Sequence, residues 1–107
     1  MSTGLLGRSL LPAANNTVVY TVPSGKNASI TVSFCNQSSS APAKVKLAIT
    51  ELATATANSW IEFNADIPVN GVLERGAIIL GPNEKVIAVS NSADVSVNVY
   101  GIEESST

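Results

Sequence analysis

Between Lys26 and Asn36 the apolar residues Ala28, Ile30, Val32 and Phe34 alternate with Ser29, Thr31, Ser33 and Cys35. A period of two is that of a strand with one buried face. Val18, Tyr20 and Val22 repeat the pattern just upstream, and Pro23-Ser24-Gly25-Lys26 separates the two runs. Pro23 presets φ for a turn and Gly25 permits a positive φ, so residues 17–36 are expected to form a β-hairpin. Further along, Ala43, Val45, Leu47 and Ile49 share one face of a third strand, and the alanine-rich stretch Leu52 to Ser59 reads as a loop. In a short strand over Trp60 to Phe63, Ile61 and Phe63 are expected on one side, with Trp60 and Glu62 on the other. Asn70-Gly71 signals a reversal. Val72 to Leu80, with a break at Gly76, and Lys85 to Ser90 are strand-like, as is the final alternation of Val95, Val97 and Val99 with Ser96, Asn98 and Tyr100.

Seven to eight short strands about ten residues apart, with turn signals between them, predict an all-β chain folded as a single antiparallel β-sandwich, jelly-roll or Ig-like. A small barrel is the alternative, and strict immunoglobulin topology lacks its cysteine pair and packing tryptophan. The sandwich is expected over residues 17–104, with a frayed tail at 105–107. Residues 1–16 carry Leu5-Leu6 and Leu10-Leu11, split by Gly7 and Arg8 and followed by Pro12. They are too broken for a helix and read either as a disordered leader or as an extended N-terminal arm that orders on docking to a neighbouring subunit. Its removal is expected to leave the domain folded.

Composition adds to this picture. A chain of 107 residues makes one domain with a modest core. Apolar residues make up 45% of it but charged ones only 13%, about half the usual share. The surface must therefore be rich in hydroxyls, amides and alanine, and it loses little hydration energy when another protein covers it. Six basic residues against eight acidic give a net charge of −2 and no basic cluster for nucleic acid. No apolar run approaches membrane-span length, and the start of the chain has no signal-peptide pattern. A soluble protein binding neither nucleic acid nor membrane is expected.

Catalytic chemistry has little to work with. There is no histidine and only one cysteine, Cys35. Histidine-based triads, His or multi-Cys zinc sites and an internal disulfide are thereby removed. Cys35, opposite the Phe34 face, reads as a packed thiol. Glu62, Asp66 and Glu74 could supply paired carboxylates for glycosidic work, although they read better as solvated surface. No catalytic residue, metal ligand or cofactor site is assigned. Trp60, after a flexible loop, could anchor a subunit contact or stack on a glycan.

Five segments in order, Val22 to Lys26, Cys35-Asn36, Leu73-Glu74-Arg75, Lys85 to Ala88 and Tyr100 to Glu104, resemble short virion-associated structural proteins of tailed bacteriophages. The resemblance covers most of residues 17–104. It implies a non-enzymatic structural protein of the virion, made in the bacterial host cytoplasm. Such a protein decorates and stabilises the capsid or tail by bridging subunits, as a homo-oligomer with a trimer as one form. Leu5, Leu6, Leu10, Leu11 and Trp60 are the expected subunit contacts; burying four leucines would contribute about 6–10 kcal/mol before ordering costs. A receptor- or glycan-binding module of a tail fibre or baseplate, using Trp60, is the alternative.

Overall fold

The computed structural model describes residues 3–105. Eight strands follow in chain order: β1 (Thr3–Leu10), β2 (Thr17–Thr21), β3 (Lys26–Asn36), β4 (Ala43–Thr50), β5 (Trp60–Ile67), β6 (Val72–Leu80), β7 (Lys85–Ser90) and β8 (Val95–Ser105). They form two four-stranded sheets, ordered β1-β8-β3-β6 and β2-β7-β4-β5. Every strand pair is antiparallel. First pairs with last, second with seventh, third with sixth and fourth with fifth. The chain is thus one long hairpin, its tip at the loop of residues 51–59, rolled into a sandwich. This nesting is the jelly-roll topology and not the immunoglobulin one.

The alternating residues behave as their period predicts. Ala28, Ile30, Val32 and Phe34 of β3 and Val95, Val97 and Val99 of β8 are buried in a core completed from the other sheet by Tyr20, Val22, Val45, Leu47, Val86 and Ala88.

The expected β2–β3 hairpin does not form. Lys26 N–H bonds back to the Pro23 carbonyl at 3.2 Å, and Gly25 takes φ 79°, so the turn is present. It carries the chain from one sheet to the other instead of joining neighbours in one sheet. Two strands with one apolar face each can pair edge to edge or stack face to face across a core about 10 Å thick, and alternation does not distinguish these.

Of the expected arm, residues 1 and 2 lie outside the described residues, and the rest is not separate from the sandwich. Thr3–Leu10 is the edge strand β1, paired with β8 from Thr3 opposite Ile102 to Leu10 opposite Ser96. Leu11 N–H bonds the Val95 carbonyl at 2.9 Å, and its side chain lies in the core. The sandwich therefore includes the chain from Thr3 on, and removing residues 1–16 would strip both an edge strand and a core leucine. Gly7, which reads as a break, marks a close approach: a Cβ there would collide with the Val19 carbonyl of β2. At the other end, β8 stays paired through Ser105, opposite Lys26. Of the expected frayed tail, residues 106 and 107 lie outside the described residues.

Candidate functional site

Strand register sets the outer face of the β1-β8-β3-β6 sheet. Side chains opposite one another form four rows: Thr3, Ile102, Ser29, Ile79; Leu5, Tyr100, Thr31, Gly76; Arg8, Asn98, Ser33, Glu74; and Leu10, Ser96, Cys35, Val72. Arg8 and Glu74 are the only full charges in these rows, at opposite edges of one of them. Ile79 is 73% exposed, Leu10 62% and Leu5 52%. Tyr100, Ile102 and Val72 are exposed as well. Nothing among the described residues covers this face.

Two polar bonds run across it. Arg8 Nε donates to Asn98 Oδ1 at 3.1 Å, and the Tyr100 hydroxyl donates to Glu74 Oε2 at 2.9 Å. The bond to Glu74, with a smaller desolvation effect, holds the Tyr100 phenol above its ordinary value. Because each charge already rests against a neutral partner, the face presents few groups whose hydration would oppose a protein–protein contact.

The outer face of the other sheet is closed at its centre but not at its edges, where Val18 of β2 and Phe63 of β5 are exposed. Ile87 and Ala48 are register partners there with no exposure, and Trp60 sits beside Ala48. Val45 pairs with Ala65, Leu47 with Glu62 and Ala48 with Trp60, so β5 carries two extra residues, one in a bulge at Phe63-Asn64, where Asn64 takes φ 57°, and one at Ile61. The bulge reverses the expected parity: Phe63 turns outward, 58% exposed, while Ile61 packs on the core. The Trp60 and Phe63 rings meet edge to face at 5.7 Å, and Lys46 Nζ lies 4.5 Å from the Phe63 centroid and 5.7 Å from that of Trp60. The cation occupies ring surface that a stacked sugar would need. On the same side, Ala14 N–H bonds the Ser90 carbonyl at 2.7 Å, which lays the segment after β1 along β7.

The expected contact residues therefore divide. Leu5 and Leu10 lie on the open face, Leu6 packs against the core, Leu11 is inside it, and Trp60 belongs to the opposite sheet. Glu62, Asp66 and Glu74 each have a separate partner: Arg75 at 2.5 Å, Lys44 at 2.5 Å and Tyr100 at 2.9 Å. The Arg75–Glu62 pair ties β6 to β5 across the open side of the sandwich. No group of three His, Cys, Asp or Glu among the described residues could hold a metal ion. Cys35 is a free, half-buried thiol on the open face.

Sequence reasoning passed over Ile79, Ile102, Tyr100, Val72, Arg8 and Glu74 as contact residues. In β8 the signal was present, since Tyr100 and Ile102 continue the parity opposite Val97 and Val99. In β6 the unbroken apolar run Ala77 to Leu80 conceals which of its members points out.

No protein-family model, curated protein or solved structure matches the chain.

Proposed function

We propose that this is a non-enzymatic structural subunit that works by being built into a larger assembly through the outer face of the β1-β8-β3-β6 sheet, and that the assembly is a phage virion whose capsid or tail it decorates. The observation that carries the reading is that face: mostly aliphatic and hydroxyl side chains, opposite charges at its two edges, Glu104 at one end and no covering element. An exposed apolar surface of this kind marks an interaction site. The virion is favoured by the ordered segments that resemble virion-associated proteins. Jelly rolls also build many capsid domains, which is an analogy at the level of fold.

The test compares particles assembled with the wild-type chain and with the Ile79→Lys/Ile102→Lys variant, measuring how much of each co-sediments. Both positions are exposed, so the variant is expected to stay folded and to be lost from particles. Equal incorporation would overturn the reading. Binding to a glycan array that Trp60→Ala abolishes would replace it with the receptor-module alternative.

A further inference from the structure

The geometry points to a second copy of this chain as the occupant of the open face, packed about a two-fold axis that runs parallel to the strands between β8 and β3. This deepens the proposed function and rests on it. In two sheets facing across such an axis each row stays opposite itself, but its order is reversed. Arg8 at the β1 edge then meets Glu74 at the β6 edge of the second copy, and Glu74 meets its Arg8. Leu10 meets Val72, and Ser96 meets Cys35.

The row Thr3, Ile102, Ser29, Ile79 adds a shape argument. A shallow hollow lies over Ser29 between Ile102 and Ile79, bordered by Asn27 and Glu104. Under the same axis Ile102 of the second copy falls on Ser29, so each copy seats one isoleucine in the other's hollow. An axis perpendicular to the strands would instead place the Leu5 row against the charged row, leaving Arg8 and Glu74 without opposite charges. Self-complementarity of charge and shape under one operation is what an isologous contact requires.

Aligned sheets pack with their strands within about 30° of each other, so rows near the axis stay opposed and the long Arg8 and Glu74 side chains span the offset at the edges. Four strands about 4.8 Å apart and about eight residues long at about 3.4 Å each give a face of roughly 500 Å² per copy. The pair thus covers roughly 1,000 Å², the low end for a specific interface. The expected dimer forms and separates with a dissociation constant in the roughly micromolar range.

Sedimentation velocity on the full chain from about 1 μM to about 1 mM tests this, with Arg8→Glu, Glu74→Arg and the double reversal as variants and thermal melting as the control for folding. The wild type is expected to dimerise, each single reversal to weaken association by about tenfold or more, and the double reversal to restore it, the pattern of a direct charge pair. Maleimide modification of Cys35 in the unaltered protein is a second readout, and it should slow as concentration rises through the dimer range. A double reversal that fails to restore association, a trimer, or a Cys35 rate independent of concentration would each overturn the two-fold arrangement. A wild type that stays monomeric throughout overturns it too. If Ile79→Lys/Ile102→Lys is still lost from particles in that case, the face binds another protein and the assembly reading stands.

Discussion

Asn36 has no solvent exposure and serves as a polar clasp. Its Nδ2 donates toward the carbonyls of Ala41 at 3.0 Å, Ile67 at 3.3 Å and Pro68 at 3.3 Å, and its Oδ1 accepts from Ser38 N–H at 3.0 Å. One side chain thus pins the end of β3, the loop after it and the end of β5. Asn36→Ala is expected to cost about 2–3 kcal/mol, because buried carbonyls lose their donor, and urea denaturation will measure it. Tyr20 and Glu103 form the second buried polar contact, the phenol of β2 donating to the carboxylate of β8 across the two sheets. Burial first, then the bond to Glu103 and its charge, raises the Tyr20 phenol well above its ordinary value. A group whose pKa is raised on folding contributes stability that is fully present below its unfolded value of about 10 and is lost as pH rises from there through the folded value. Tyr20→Phe should lower stability by about 2 kcal/mol at neutral pH and make the decline above pH about 10 shallower; an unchanged alkaline slope would refute the assignment. Backbone strain is visible at the same scale. Asn64, Asn70 and Asn83 occupy positive φ as their type allows, whereas Ala77, exposed in the β6 bulge, does so at φ 58°. Ala77→Asn is expected to raise stability by about 0.5–1 kcal/mol, read as a higher melting temperature.

At the level of elements, β1 shows what edge strands hide. Gly4 and Gly7 interrupt its apolar residues, and Leu5 with Leu10 on one face and Leu6 with Leu11 inward is intelligible only once the bulge between Leu5 and Gly7 is known. Because β1 completes one sheet and delivers Leu11 to the core, deleting residues 1–10 should lower the melting temperature by about 10 °C or more, at about 4–8 °C per kcal/mol, or prevent folding. Gly7→Ala should destabilise more mildly, by about 1–3 kcal/mol, through the collision with Val19. An intact melting temperature in the deletion would restore the independent arm. β3, β7 and β8 were readable from sequence because their registers run without a bulge across much of their length and their alternation survives. Bulges at Val19, at Phe63-Asn64 and at Gly76-Ala77 shift parity by one residue. That shift sent Val18 and Phe63 outward against expectation. The open face was only half visible for a different reason: its rows combine residues from four strands whose order is set by tertiary pairing, and no local pattern encodes which strand lies beside which.

Across the whole molecule, the nested pairing imposes an order of assembly. The innermost pair, β4 with β5, closes over a short loop, while the outermost brings Arg8 to Asn98, 90 positions away. Loop-closure entropy rises with separation, and a topology dominated by distant pairs folds slowly, on the millisecond-to-second scale or beyond. Closure should proceed outward from β4–β5 through β3–β6 and β2–β7 to β1–β8, each pair shortening the loop that the next must close. Pulsed hydrogen exchange during refolding is expected to protect the amides of Lys44 to Leu47 before those of Leu5 to Leu10. Simultaneous protection of both sets would contradict the order. The last strand to dock is also one margin of the open face, carries Leu5, Arg8 and Leu10, and as an edge strand is paired on one side only. Covering that face with a second copy adds contacts to β1 that the inner strands do not need, and by linkage the partner stabilises the state that has β1 docked. Native-state exchange at the β1 amides should therefore slow as protein concentration rises through the dimer range, and Arg8→Glu should move that dependence to concentrations about tenfold higher or more.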